Sequence, residues 1–349
     1  MDRREVLIGM SAAAAAAGAI GADSAAAQNK AKPAPLDGFA KPQVKPDPKK
    51  PLNRDIQAVP DDFFVPGRFA GKTVIVTGSA RGMGRMAAIR LAREGANVVG
   101  VDWLKDEGEA VIAGIAKEGG KARFVHGDVS ESEVTDRMVK VAVDSFGSLD
   151  CALNNAGVMD AIFPGDPIDY QAQKHLAMAP IHEASDAYWD VVMRVNATGV
   201  FKSLRSELRH MVKQGTGGTI VNVSSVAGLR GFGGTPSYVA SKHAVTGLTK
   251  NAAMDYAAYG IRVNSVHMAN TKTPMVDRAF QLLRERAKLS GGAGGLGLYK
   301  TRSILQFEDS QNRESTPAEQ VAVMLFLLSP ESSNLTGANY ATDGGFSTF

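Results

Sequence analysis

Three residues of this chain, Ser225, Tyr238 and Lys242, have types and spacing that suit proton transfer. Tyr238 and Lys242 stand four apart in a stretch without proline, so a helix there projects both side chains from one face. A free phenol with a pKa of about 10 keeps its proton at neutral pH, and lowering that value by two to three units takes roughly 3–4 kcal/mol. One ammonium at about 4 Å in a medium of intermediate polarity supplies about that much. Lys242 is therefore expected to bring Tyr238 into the range of a general acid/base near neutral pH. Ser225, thirteen residues before the tyrosine, can donate a hydrogen bond to a carbonyl oxygen. A Tyr-x-x-x-Lys pair also arises by accident on amphipathic helices, so its meaning depends on what lies upstream.

Upstream lies a nucleotide-type loop. The β-branched run from Lys72 to Thr77 is followed by Thr77-Gly78-Ser79-Ala80-Arg81-Gly82-Met83-Gly84, and a helix starting near Gly82 places Met83, Ala87 and Leu91 on one stripe. Strand, glycine loop and helix N-terminus together present backbone N–H groups to a pyrophosphate, with Gly78, Arg81, Gly82, Met83 and Gly84 as the cradle. A second strand, Asn97 to Val101, ends at Asp102, eighteen residues beyond Gly84 and close to the spacing for a carboxylate that accepts both hydroxyls of an adenosine ribose. Asp102 repels a 2′-phosphate and favours NAD; Arg81 beside the second glycine points towards NADP, and Trp103 in place of a cation leaves the balance with NAD.

The rest of the chain must hold these groups or carry them to their compartment. Arg3-Arg4, an uncharged run of 17 residues from Val6 to Ala22 that is mostly Ala and Gly, and Ala25-Ala26-Ala27 resemble a twin-arginine export signal cleaved after residue 27. That run is short and weakly apolar for a membrane span, so a retained anchor is the lesser alternative and the expected location is periplasmic. Residues 28–67 form a proline-rich arm: residues 28–66 hold eight of the fifteen prolines, and Phe63, Phe64 and Val65 can dock its end. Phe63 and Phe64 are expected to help the arm lie across the cofactor cleft and slow loss of NAD. The net charge of +3 becomes +4 without the signal, and several lysines of the arm carry the excess, so no nucleic-acid footprint is defined. The single cysteine, Cys151, lies in an apolar strand-like run and reads as core; His175 and His182 read as surface residues. The histidines show no paired ligand spacing, and no catalytic metal is expected. From residue 68 to 349 strands and helices alternate as one α/β domain.

In this order of motifs the chain resembles the short-chain dehydrogenase/reductase family, in its TGxxxGxG and YxxxK subgroup. The similarity covers roughly residues 69–349 and includes Gly127-Asp128-Val129, Asn154-Asn155-Ala156-Gly157, Val195-Asn196-Ala197-Thr198-Gly199 and Ala341-Thr342-Asp343-Gly344-Gly345. The resemblance implies a doubly wound, mostly parallel sheet of the Rossmann type, with Asp128 and Val129 beside the adenine and Asn155 beside the cofactor. It implies that Ser225 steadies the substrate oxygen and Tyr238 moves the proton. Lys242 lowers the phenol's pKa and holds the nicotinamide ribose, and Asn196 supports a relay of water. It also implies a homodimer or homotetramer.

Two departures from the family stand out. Pro-Gly after the sixth strand is replaced in His267-Met268-Ala269-Asn270-Thr271-Lys272-Thr273-Pro274, which leaves Thr271 and Thr273 at the nicotinamide end but puts the turn in doubt. Between Gly157 and Asn196 the chain is longer than usual, with Phe163-Pro164-Gly165-Asp166-Pro167 as a surface loop expected beside the substrate mouth. Residues 275–315, with the glycine-dense run Gly291–Gly297, are expected to form a substrate lid. Val158, Met159, Leu229, Phe232, Met268 and Met275 are the candidate pocket residues, suited to a hydrophobic alcohol or ketone. Two functions follow. One is an NAD-dependent oxidoreductase interconverting a secondary alcohol and a ketone; the other is a noncatalytic exported dinucleotide-binding sensor or scaffold, which has no use for an acid/base pair.

Overall fold

A computed structural model describes residues 57–289 and 313–348. The export signal, the arm up to residue 56 and the Gly291–Gly297 part of the lid lie outside the described residues.

Seven strands form one parallel sheet: β1 Thr73–Thr77, β2 Asn97–Asp102, β3 Lys121–His126, β4 Cys151–Asn154, β5 Gly218–Val223, β6 Ile261–Met268 and β7 Asn339–Thr342, in the order β3-β2-β1-β4-β5-β6-β7. The β-branched runs that fill β1 and β2 are buried on both faces, as a parallel sheet covered by helices requires. Alternation sorts their side chains. Val74 and Val76 pack with α1 (Gly82–Arg93), α2 (Lys105–Lys117) and α8 (Pro317–Leu328), whereas Ile75 packs with α3 (Ser132–Phe146), α5 (Gly199–Gln214) and α6 (Pro236–Tyr256). Two further helices, α4 (Asp186–Met193) and α7 (Pro274–Leu289), bury Tyr188, Val192, Ala279 and Leu282 in a third cluster with Val158 and Met178 of the longer β4–α5 connection. The strand order reverses between β1 and β4, which opens a crevice at their carboxyl ends.

The expected core and surface assignments hold. Cys151 is buried in β4, where burial pushes its thiol up to about 12, and His175 and His182 are exposed. No described helix is long and apolar enough to cross a membrane. The end of the arm docks, but in a different place from that expected. The Val65 N–H donates to Glu94 Oε1 (3.0 Å), Arg68 donates to both Glu94 oxygens (2.6 and 2.7 Å), and the Arg90 guanidinium sits 4.9 Å from the Phe63 ring centroid. Arg90 and Glu94 lie at the C-terminal end of α1, a helix length from the glycine loop, so Phe63 and Phe64 do not reach the cofactor cleft. A buried carboxylate with two guanidinium partners captured the chain there, a pairing that the sequence does not announce.

One buried polar chain predicts a pH-dependent stability. Asn154 Nδ2 donates to Glu207 Oε2 (3.0 Å) and Asn222 Oδ1 (3.1 Å), while Glu207 Oε1 and Asn154 Oδ1 have no partner. Burial pushes Glu207 up to about 7, against the opposing Asn154 bond. A carboxyl whose pKa is raised on folding contributes most while protonated and loses that contribution as pH rises from its unfolded value towards about 7. Glu207→Gln, which keeps an acceptor for Asn154 Nδ2 and cannot ionise, is therefore expected to stabilise the protein at pH 8 by roughly 1–3 kcal/mol and to change little at pH 4. Thermal melts at the two pH values check this; an equal difference at both would contradict it.

Candidate active site

The glycine loop is shaped by contacts that leave no room for side chains. A Cβ on Gly84 would lie 2.0 Å from the Gly78 carbonyl oxygen, and Gly78 itself has a φ of +68° and abuts Ala156. Asn155 completes the turn by donating from Nδ2 to the Thr77 and Gly78 carbonyls (both 3.2 Å), while the Thr77 hydroxyl accepts the Asn155 and Ala156 N–H groups. The loop and the N-terminus of α1 open on a cleft of about 820 Å³ at the reversal point of the sheet. This tight turn, which an added methyl group at Gly78 or Gly84 would force apart, fits a pyrophosphate approached closely by backbone.

Asp102 sits at the carboxyl end of β2, where its Oδ2 accepts from Ala80 N (2.9 Å) and its Oδ1 from Leu104 N (2.9 Å). Burial raises its pKa above the usual carboxylate value, and the backbone N–H groups oppose that rise. Each oxygen keeps a lone pair for a ribose hydroxyl. Arg81, the residue that pointed towards a 2′-phosphate, is engaged elsewhere: Nη2 pairs with Glu107 Oε1 (2.5 Å) and Nη1 donates to the Pro164 carbonyl (3.3 Å). Asp128 and Val129 line the same cleft, with Asp128 held by Ser130 N (2.8 Å) and Arg194 Nη1 (2.5 Å).

An apolar cavity of about 130 Å³ continues from the cleft, and Met83, Asn155 and Thr273 line both. Ser225, Tyr238, Lys242 and Thr271 line this inner cavity. Ser225 lies two residues past the end of β5. Its hydroxyl accepts from Ala227 N (3.2 Å), approaches the Met268 carbonyl (3.5 Å) and hydrogen-bonds the Tyr238 phenol. Lys242 is buried on α6, with Nζ donating to the Val223 carbonyl (2.9 Å) and 5.5 Å from the Tyr238 ring centroid. The expected electrostatic effect is reversed. Burial pushes the phenol up to about 12, with the Ser225 bond opposing, and pushes the lysine down to about 8. Lys242 neighbours the ring instead of standing at close range as a solvated charge, so desolvation outweighs the Coulombic attraction that the spacing suggested.

Asn196 lies in a π-helical turn, Arg194–Thr198, between α4 and α5. Its Oδ1 accepts from Val158 N (2.8 Å), and its Nδ2 donates to the Val158 carbonyl (2.9 Å) and Ser241 Oγ (3.0 Å). Ser241 in turn donates to the Tyr238 carbonyl (2.9 Å), so Asn196 braces α6 through its neighbour. Thr271 is tied to Ser315 Oγ (3.0 Å), and Thr273 Oγ1 accepts from Val276 N (3.4 Å) at the head of α7. The unusual Met268-Ala269 pair leaves β6 paired with β7 through Met268.

Four of the six candidate pocket residues, Met159, Phe232, Met268 and Met275, line the inner cavity. Val158 lines the outer cleft, and Leu229, 36% exposed, lines neither. Met178, Phe280 and Leu283, absent from the sequence reading, complete the apolar wall. Phe280 and Leu283 come from α7, so the described part of the expected lid is a helix flanking both cavities. Of the Phe163–Pro167 loop, Pro164, Asp166 and Pro167 line the outer cleft. Phe163 packs against Trp103 (ring centroids 5.4 Å apart), and Arg278 of α7 donates to the Phe163 (3.2 Å) and Asp166 (3.3 Å) carbonyls. These anchors are tertiary pairings, and no local pattern marks them.

Comparison with known proteins agrees with this geometry. The sequence profile described as short chain dehydrogenase matches residues 72–282. The chain is 38% identical to a 3beta-hydroxysteroid dehydrogenase of Mediterraneibacter gnavus over 289 residues, covering 82% of this chain and 98% of the relative. It is 37% identical to trans-4-hydroxycyclohexanecarboxylate dehydrogenase of Sinomonas cyclohexanicum, covering 80% of this chain and 95% of the relative. The crystal structure of carveol dehydrogenase from Mycobacterium avium in complex with NAD superposes with a TM-score of 0.67 at 28% identity, covering 81% of this chain and all of that one.

Proposed function

The chain belongs to the short-chain dehydrogenase family, and from that premise we propose that it interconverts a secondary alcohol on an alicyclic ring and the corresponding ketone, with NAD as cofactor. The observation that carries this reading is the convergence of Ser225, Tyr238 and Lys242 where the glycine-loop cleft meets an apolar cavity. The relatives act, by name, on a hydroxysteroid and a hydroxycyclohexane ring, and the methionine-rich wall suits an apolar body of that kind. A noncatalytic sensor is not favoured, since the acid/base group is complete and the relatives are dehydrogenases.

The glycine loop and α1 hold the pyrophosphate, Asp102 the adenosine ribose, Asp128 and Val129 flank the adenine, and Thr271, Thr273 and Lys242 hold the nicotinamide end. NAD supplies the hydride acceptor. Ser225 donates to the substrate oxygen, and Tyr238 passes a proton to or from that oxygen. Asn196 acts on the site through Ser241. With a phenol held high by burial, the resting tyrosine carries its proton and is set for ketone reduction, and alcohol oxidation speeds up as pH rises. The test is NADH absorbance with a panel of cyclic and linear secondary alcohols and their ketones. NAD-linked turnover of the ring compounds supports the reading, and turnover confined to open-chain substrates sinks the ring assignment.

Cofactor choice is predicted by the Arg81–Glu107 pair and by Asp102. Asp102→Ala is expected to raise NADP affinity relative to NAD by about tenfold or more, although loss of the Ala80 bond weakens both. An unchanged ratio of the two dissociation constants would move the choice to another residue.

Export through the twin-arginine route, a periplasmic location and a homodimer or homotetramer complete the proposal. Free NAD is expected to be scarce there, and we propose that it is loaded before export and retained. The Phe163–Pro167 loop supports this, because it lines the cofactor cleft and is fastened to α7. Denaturing protein purified without added nucleotide and assaying the supernatant for NAD tests retention; no NAD, with freely reversible binding, would refute it.

A further inference from the structure

Ser225 depends on a histidine that the mechanism does not otherwise use. His267, the penultimate residue of β6, is fully buried, and its Nδ1 lies 2.9 Å from the Ser225 carbonyl oxygen. A carbonyl only accepts, so Nδ1 carries the ring proton. Nε2 lies 2.8 Å from Ser265 Oγ, which is 2.8 Å from the Asn339 side chain on β7. Burial, with Lys242 nearby, holds the imidazole pKa below its ordinary value against the Ser225 bond, so the ring is neutral at pH 7. A neutral ring that donates at Nδ1 accepts at Nε2; the Ser265 hydroxyl then points at the ring, and Asn339 presents its amide end to that hydroxyl.

The ring is thus a strut from the sheet edge to the serine. The Ser225 carbonyl accepts one further bond, from Gly228 N (2.8 Å), which lies within the same short turn. The remaining ties of Ser225, to Ala227 N (3.2 Å), to the Met268 carbonyl (3.5 Å) and to the Tyr238 phenol, use the hydroxyl itself. The bond donated to the Met268 carbonyl must yield when the hydroxyl donates to a substrate oxygen. The His267 bond keeps its hold on the main chain throughout.

We propose that His267 is a positioning residue that fixes the Ser225 main chain and so aims its hydroxyl at the substrate oxygen. The proposal rests on the reading of Ser225 given above. A displacement of about 1 Å at a reacting group costs up to about 10²-fold, so His267→Leu is expected to lower kcat by about 10- to 100-fold with KM within about threefold. His267→Asn, which places an amide N–H near the Nδ1 position, is expected to recover most of the loss.

The deciding experiment is a double-mutant cycle with Ser225→Ala in the full-length protein, with melting temperatures read alongside. If His267 acts through the serine hydroxyl, His267→Leu causes no further loss of kcat once Ser225 is Ala. The same fold-loss in both backgrounds, or wild-type kcat in folded His267→Leu, overturns the proposal. If Ser225→Ala alone leaves kcat unchanged, the reading of Ser225 falls, and the role of His267 falls with it. Should the Leu variant fail to fold, His267→Gln, which keeps a group near Ser265 but withdraws the donor from Ser225, is expected to show the kcat loss; full activity in that variant overturns the proposal.

Discussion

Tyr238→Phe is expected to lower turnover by about 10²- to 10⁴-fold while NAD affinity stays within about twofold. The change removes one oxygen. The ring remains packed beside Val158, Met159 and Leu283 in the cluster around Tyr188, so the fold and the glycine-loop cleft are left intact. What disappears is the proton donor and the hydrogen bond that ties the phenol to Ser225. Because burial holds the phenol up to about 12, the wild-type oxidation rate should climb as pH rises towards alkaline values, whereas the residual rate of the Phe variant should show no such limb. Steady-state kinetics from pH 6 to about pH 10 with NAD titrations check both parts. Wild-type turnover in the Phe variant would remove Tyr238 from the mechanism.

Lys242→Met is expected to lower turnover by about 10²- to 10³-fold and, unlike the tyrosine variant, to weaken NAD binding as well. Lys242 lies within α6, is 4% exposed and spends one donor on the Val223 carbonyl, which leaves two for a ribose and the phenol side of the cavity. Methionine keeps the length and apolar body of the side chain, so the loss reports the charge and donors. The lysine is pushed down to about 8 by burial, and it gains its full charge only as pH falls below that value. Its charge is therefore present near neutrality and gone before the phenol, pushed up to about 12, loses its proton, so the alkaline limb should keep its position in the Met variant while turnover and NAD affinity fall. A limb that moved upward would show that the lysine keeps its charge where the tyrosine titrates.

Much of this site was legible in the sequence because its chemistry is local. Tyr238 and Lys242 are a helical i, i+4 pair, the glycines occupy one turn, and Asp102 closes the strand after the first helix; each is set by spacing along one element or one βαβ unit. The doubly wound sheet followed from the same alternation. What escaped were pairings between distant segments. Glu107 neutralises Arg81, Glu94 captures the end of the arm, Arg278 fastens the Phe163–Pro167 loop, and His267 reaches across to Ser225; nothing in the residues beside any of these indicates its partner. The sign of the tyrosine shift escaped for a different reason. A Coulombic estimate at an assumed distance leaves out desolvation, and burial in this cavity is the larger effect on both Tyr238 and Lys242. Asn196 lines neither cavity, and its amide is filled by Val158 and Ser241, contacts that depend on the π-helical turn.

The most direct measurement of the central claim follows the hydrogen itself. The full-length protein is incubated with NAD and an alicyclic secondary alcohol that carries deuterium on the carbinol carbon, and the nicotinamide product is weighed by mass spectrometry. The account predicts NADH heavier by one mass unit together with the ring ketone, with formation of both slowed by about 10² or more in Tyr238→Phe. Reduced nucleotide without the label, or an unlabelled ketone formed with no reduced nucleotide at all, would contradict it.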